Sequence, residues 1–145
     1  MMVTRLLALM LAMFSTAAFA QSSKPAPAPA AKAEKQTTLQ RVVLTGARTK
    51  ILTYYAVDPN CSPTGTVTVH VLKQPSNGKL ETDTGPDFTR YPKENVRSKC
   101  NDKEVQMARV WYQSKPDYKG NDEAEFEVIY PDGKYGKGKL MIVVK

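Results

Sequence analysis

The feature that most constrains the fold is a period-two alternation of apolar and polar residues, which begins near residue 38 and recurs in short runs to residue 144. Successive side chains of a β-strand point to opposite faces, so this alternation predicts half-buried strands. No window of helical length keeps apolar residues three and four positions apart. We therefore predict an all-β domain with strands near 39–44, 51–57, 66–72, 79–82, 107–113, 124–130 and 139–144.

Short segments rich in turn-forming residues separate these runs. Proline fixes φ, and glycine and asparagine tolerate positive φ, so each segment favours a tight turn. They are Asp58-Pro59-Asn60, Pro75-Ser76-Asn77-Gly78, Lys115-Pro116-Asp117 and Pro131-Asp132-Gly133. About seven strands in about 110 residues indicate an antiparallel sandwich. The stretch 81–103 is polar and irregular, and we predict a long loop there.

The N-terminal residues predict export. Arg5, an apolar run over 6–14 and Ala18-Phe19-Ala20 form the pattern of a cleaved secretory signal, residues 1–20. Residue 21 is Gln and not the Cys of a lipoprotein, and no second apolar segment approaches the roughly 18 residues that a membrane span needs. We expect a periplasmic or secreted protein without stable membrane insertion. The Pro/Ala-rich residues 21–37 predict a flexible tether before a domain at 38–145.

The charge pattern bears on the partner class. The formal net charge is +7, from 21 basic and 14 acidic residues, and the removal of Arg5 with the signal lowers it by one. Acidic residues are interleaved with basic ones, whereas nucleic-acid binders usually concentrate positive charge on one face. We therefore expect no nucleic-acid partner, and we expect a monomer.

Cys61 and Cys100 are the only cysteines. Exported proteins normally meet an oxidising environment, so the default interpretation is a structural disulfide, which would close a loop of about 40 residues and stabilise the fold by roughly 4 kcal/mol. A metal site would need more Cys or His ligands, yet His70 is the only histidine, and a redox site would favour a close Cys-x-x-Cys pair. We expect a disulfide, no metal and no cofactor.

The run from Val110 to Asp122, which reads VWYQSKPDYKGND, continues to Pro131-Asp132-Gly133 and resembles bacterial cadherin-like and other immunoglobulin-like modules. In those modules an aromatic strand end is followed by a Pro and aromatic-Gly-x-Asp corner, and Pro75-Ser76-Asn77-Gly78-Lys79-Leu80 is similar to their preceding Pro-x-x-Gly hairpin. The resemblance covers about residues 39–144 and extends to small exported single-domain Ig-like proteins of proteobacteria. It implies an immunoglobulin-like (cadherin-like) sandwich. Ala124 departs from the pattern, because an aromatic residue usually follows the corner.

Two polar features invite functional interpretations. Cadherins proper bind calcium, and Asp122 is the candidate ligand, but calcium wants six to eight oxygens and no carboxylate cluster of that kind is recognisable. We therefore predict that Asp122 accepts backbone hydrogen bonds in its turn. His70 shares its predicted strand face with Thr66 and Thr68, and no Ser or Cys lies in an elbow-like sequence, so we predict no enzyme.

Adjacent aromatic residues on one strand cannot both face the core. Trp111 alternates with Val110 and Tyr112, so it is the candidate for exposure, although a tryptophan buried beneath an Ig-like disulfide is the interpretation that we favour. The binding hypothesis is an aromatic and basic patch for an envelope protein or glycan. Its predicted members are Trp111, Arg109, Arg90, Tyr91, Lys93 and Arg97. The alternatives are a secreted inhibitor that uses the 81–103 loop and a small hydrolase that uses His70.

Overall fold

The computed structural model describes residues 36–145; the predicted signal and all but the last two residues of the predicted tether lie outside the described residues. The described residues form seven strands: β1 (Thr37–Val43), β2 (Thr49–Tyr54), β3 (Thr68–Lys73), β4 (Gly78–Phe88), β5 (Glu104–Ser114), β6 (Gly120–Ile129) and β7 (Tyr135–Val144). A 3₁₀ helix, Ser98–Cys100, precedes β5. All seven predicted strands are confirmed, with shifted ends. Within these residues, no helix has the length and apolar character that crossing a membrane requires.

The strands form two sheets. One has the order β1-β7-β6-β3 and the other the order β2-β5-β4. The predicted all-β, seven-stranded sandwich is confirmed, but the larger sheet is mixed because β1 runs parallel to β7. These two strands are far apart in the chain, so no tight turn between them requires an antiparallel pair.

The main core lies between the two sheets. Phe126, Leu140, Val110 and Tyr112 are among its fully buried side chains. A Cβ at Gly138, opposite Phe126 in β7, would lie 2.3 Å from the Phe126 ring. The ring therefore fills the space that a larger residue at position 138 would need.

Strand β4 is longer than the sequence predicted. The sequence predicted a strand over 79–82 and a loop over 81–103, whereas the strand continues to Phe88 and the loop covers only 89–103. Beyond Leu80 the residues on its inner side, such as Thr82 and Thr84, are exposed, so no apolar alternation marks them as strand. Pairing with β5 along its whole length, from Gly78 opposite Ser114 to Phe88 opposite Glu104, defines this part of β4.

Candidate binding surface

The outer face of the three-stranded sheet has two contrasting halves. Strand β5 turns Val110 and Tyr112 into the main core, so Val105, Met107, Arg109 and Trp111 face away from it. Val105 and Met107 are buried, whereas Arg109 and Trp111 are half-buried. We call the region of Val105 and Met107 the covered half. The open half comprises Arg109 and Trp111 with Glu81 and Asp83, which lie opposite them in β4.

A second apolar cluster covers the first of these halves. Val105 and Met107 pack with Val57 and with both half-cystines, and Tyr55 and Tyr91 pack against the rim of this cluster. Cys61 and Cys100 form the predicted disulfide, with 5.3 Å between their Cα atoms. Neither cysteine is in a strand, because Cys61 lies in the loop after β2 and Cys100 ends the 3₁₀ helix. The disulfide therefore joins two loops over one face of a sheet and does not join the two sheets.

Side-chain hydrogen bonds hold these loops in place. Asn101 accepts hydrogen bonds from Thr89 Oγ1 and from the Tyr91 amide, both at 2.9 Å, and donates to the Tyr91 carbonyl. Arg97 Nε donates to the carbonyl of Val57 at 2.8 Å and so links the two covering loops. The Tyr55 and Tyr91 rings pack edge to face with 5.3 Å between centroids. Together with the disulfide, these contacts hold the two covering loops in a defined conformation.

In the open half, Trp111 is held on the sheet surface by polar contacts. Its Nε1 donates to Asp83 Oδ1 at 3.0 Å. Asp83 also accepts two hydrogen bonds from Arg109, from Nε at 2.7 Å and from Nη2 at 2.9 Å. The guanidinium carbon of Arg48 lies 4.1 Å from the Trp111 ring centroid, and that of Arg109 lies 5.6 Å away. Both distances fall in the range of cation–π attraction.

The charges of this surface are paired. Arg48 and Lys79 both contact Glu81, at 3.4 and 2.6 Å. The hydrogen bond from Arg109 holds the pKa of Asp83 below its usual value, and the bond from Lys79 does the same for Glu81. The open half is therefore a mixed-charge network around one indole, which differs from the predominantly basic patch that the sequence predicted.

The structure divides the six predicted binding residues among three environments. Trp111 and Arg109 share Asp83 in the open half. Tyr91 packs against the second apolar cluster, and Arg97 links the two covering loops. Lys93 is exposed on the same loop. Arg90 instead lines a groove along the edge of β2.

The position of Trp111 also corrects the favoured interpretation of this residue. Trp111 is half-buried on the outer face and lies outside the cluster beneath the disulfide. Val105 and Met107, and not Trp111, pack beneath the disulfide. The disulfide packs over Val105 and Met107, near the start of β5, and Trp111 lies four residues beyond Met107 on the same outer face.

Sequence reasoning missed Arg48, Glu81 and Asp83 as neighbours of Trp111. Asp83 lies directly opposite Arg109 and Glu81 opposite Trp111, so the cross-strand register of β4 and β5 assembles the group. Gly85 was a usable signal, because a Cβ there would lie 2.5 Å from the Arg109 guanidinium. An isolated glycine in a strand often marks such a close approach.

Asp122 is a structural residue, as predicted, but it lies in β6 and the turn whose amides it binds is the β3–β4 turn, not its own. Its carboxylate is buried and accepts hydrogen bonds from the amides of Ser76 and Asn77 and from the Tyr112 hydroxyl, all at 3.0 Å. A Cβ at Gly78 would lie 2.5 Å from the Tyr112 ring, so this turn packs closely on the same side chain. Asp122 therefore fixes the β3–β4 turn to the main core.

His70 lies on the outer face of the four-stranded sheet. Its Nδ1 is 3.0 Å from Glu127 Oε1, and 56% of its side chain is exposed. On the same face, Lys73 and Lys139 both pair with Glu123 and lower its pKa to about 2, Lys73 through the larger effect. The contacts of Lys73 and Lys139 with Glu123 are surface ion pairs, which contribute little individually. Among residues 36–145, no three His, Cys, Asp or Glu side chains are grouped so that they could hold a metal ion.

Comparison with known proteins found no matching family model, no matching curated protein and no matching solved structure.

Proposed function

We propose that this protein is an exported, non-catalytic interaction module of the cell envelope, and that it binds a protein or glycan partner through the open half. The observation that carries this proposal is the placement of Trp111 on an outer sheet face, oriented by Asp83 and flanked by Arg48 and Arg109. Tryptophan and arginine are the residues most enriched at binding hot spots. An indole that is already positioned loses little conformational entropy on binding.

The rest of the molecule is consistent with a binding role outside the cytoplasm. The disulfide suits an oxidising compartment. The main core packs without Trp111, because Val110 and Tyr112 supply the inward side chains of this part of β5. The relation to cadherin-like and immunoglobulin-like modules stays part of this proposal, since it depends on the sequence resemblance and on the fold class.

The test is affinity capture from envelope and culture fractions with the oxidised protein, followed by mass spectrometry of captured proteins and glycans. Trp111→Ala is the test variant. Tyr135→Ala is the matched control, because Tyr135 is an exposed aromatic residue on the outer face of the other sheet. Circular dichroism and thermal unfolding confirm that both variants are folded.

The proposal predicts that the wild type and Tyr135→Ala capture the same partner and that Trp111→Ala does not. Equal capture by a folded Trp111→Ala variant would contradict the open half as the binding surface. No specific capture by the wild type would contradict the binding role itself.

One observation favours a second candidate, an inhibitor of a foreign enzyme. Val96 lies in the loop held by the disulfide and Asn101, and it is 68% exposed. The hydrogen bond from the Arg97 amide to Asn95 Oδ1, at 2.9 Å, fixes the backbone beside it. Rigid exposed loops bind partners at low entropic cost. A tight complex with a single enzyme that Val96→Asp abolishes and Trp111→Ala retains would support this candidate instead.

A further inference from the structure

A groove follows the outer edge of β2. Within the described residues, β2 has one hydrogen-bonded neighbour in its sheet, β5, and its other edge faces β1 of the opposite sheet. The groove has a volume of about 520 Å³, and all five residues from Lys50 to Tyr54 line it. Leu39 and Arg41 of β1, together with Asp87 and Arg90, complete its lining. Because five consecutive residues of an edge strand line it, the groove gives access to the strand edge to which an extended segment could pair.

The strand order explains why this edge is open. Constant-type immunoglobulin sandwiches place their first strand beside the second, in a four-stranded sheet. Here β1 lies beside β7 in the other sheet, and among residues 36–145 the smaller sheet has three strands with β2 at one edge. The groove therefore occupies the position that a fourth strand of this sheet would take.

One contact crosses the groove. Arg41 lies on the inner side of β1, between Leu39 and Val43, and its Nε donates to the carbonyl of Ile51 at 2.8 Å. Ile51 stands at the irregularity of β2, between Lys50 and Leu52, where the register with β5 shifts. A side chain of β1 thus satisfies a carbonyl that an added strand would otherwise bond.

The walls of the groove carry an excess of positive charge. Arg41, Lys50 and Arg90 line it together with one carboxylate, Asp87, which pairs with Lys50. Leu39 and Tyr54 line both this groove and a second cavity of about 280 Å³, which Phe126 and Tyr130 also line. The groove therefore offers cations and an adjoining apolar recess.

We propose that the edge of β2 binds an extended acidic segment of another polypeptide by strand addition. Main-chain hydrogen bonds to a sheet edge supply affinity in this mode, and side-chain pockets supply specificity. Carboxylates of the bound segment pair with Arg41 and Arg90, and an apolar residue enters the recess beside Tyr54. An amide of the segment replaces Arg41 at the Ile51 carbonyl, which releases the guanidinium to pair with a carboxylate. The groove adjoins the open half, because Lys50 lies opposite Trp111, but the two sites share no residue. Variants at Arg90 and at Trp111 therefore test the two proposals separately.

The test uses fluorescein-labelled ten-residue peptides and fluorescence anisotropy. The probe alternates glutamate with threonine and carries one central leucine. A second peptide replaces each glutamate with lysine, and a third has the probe sequence with alternate amides N-methylated, which removes hydrogen-bond donors but keeps the charge. An acidic oligosaccharide, oligogalacturonate, competes in parallel as a charged ligand without a peptide backbone.

Arg90→Glu is the test variant, and Lys93→Glu is its matched control. Both residues are exposed in the same loop and both substitutions change the charge equally, but only Arg90 lines the groove. Since reversal converts one attraction into a repulsion, we expect Arg90→Glu to weaken binding of the acidic peptide about tenfold, and Lys93→Glu to change it less than about twofold. Two-dimensional NMR of the labelled protein should show shifts at residues 50–54.

Strand addition further requires that the lysine and N-methylated peptides fail to bind. Three results would overturn the proposal: no binding of the acidic peptide at millimolar concentration, equal binding of the N-methylated peptide, or displacement of the probe by the oligosaccharide with the same shifts. The first result would mean that these cations only protect a free edge from self-association.

Discussion

The two halves of the outer face of the three-stranded sheet differ in the burial and the contacts of their side chains. In the covered half, β5 presents Val105 and Met107, which are apolar and are buried by loops that a disulfide joins. In the open half the same strand presents Arg109 and Trp111, which are half-buried and held by Asp83. The loops bury the apolar side chain of Met107, and burial of apolar surface is favourable. The packing of the sandwich gives no comparable reason for the position of Trp111, and this contrast is why we propose that the open half binds the partner.

Loss of the disulfide that joins the two covering loops should change stability the most. Replacing Cys61 and Cys100 with alanine should lower the free energy of unfolding by about 4 kcal/mol, because a loop with a sequence separation of 39 residues is no longer closed in the unfolded chain. Urea unfolding measures the change. Hydrogen exchange should accelerate first in residues 89–103, while amides of β6 and β7 stay protected. Uniform acceleration across both sheets would show that the covered half is not a separate region.

The next effect compares a side chain of the covered half with one that borders the open half. Met107→Ala should lower the free energy of unfolding by about 3 kcal/mol, because Met107 is 2% exposed and its loss leaves a cavity. Lys79→Ala, on the outer side of β4 beside Glu81, should change it by less than about 0.5 kcal/mol. Urea unfolding of both variants checks this order. Similar losses in the two variants would contradict the division into structural and open halves.

A smaller effect concerns the orientation of Trp111. Asp83→Asn should weaken the hold on Trp111 and Arg109 and leave the indole more mobile, with little change in stability because this ion pair is partly exposed. Trp111 is the only tryptophan, so acrylamide quenching of its emission reports the change directly. Quenching should increase in Asp83→Asn. It should not change in Asp132→Asn, which breaks a surface pair with Lys134 on another hairpin.

The smallest effect is a pH dependence of the open half. The pKa of Asp83 lies below its usual value of 3.8, chiefly through the Arg109 hydrogen bond. Because the folded-state pKa is the lower one, the stabilisation is complete above 3.8 and is lost as the pH falls through the folded-state pKa. Trp111 quenching should therefore stay constant from pH 7 to 4 and rise only below this range. A transition above pH 4 would contradict the Asp83 contact.

The seven strands and the disulfide could be predicted from the sequence, because alternation and cysteine count are local signals. The second half of β4 could not, since Thr82 and Thr84 face solvent on the side where an apolar residue would mark a strand. The parallel pairing of β1 with β7 also left no local signal.

The candidate surface was predictable only in part. Alternation with Val110 and Tyr112 correctly indicated that Trp111 faces outward, but the expected disulfide above it favoured burial. Its partners Asp83 and Arg48 depend on strand register and on the path of a loop, which a single sequence does not specify.

Photo-crosslinking in cells tests directly whether the partner binds at the open half. The photoreactive residue p-benzoylphenylalanine replaces either Lys79, beside the open half, or Lys93, on the loop over the covered half; both lysines are exposed. If the partner binds at the open half, position 79 should give a discrete crosslinked partner and position 93 should give none. Crosslinks from position 93 alone, or from neither position, would contradict the assignment of binding to the Trp111 surface.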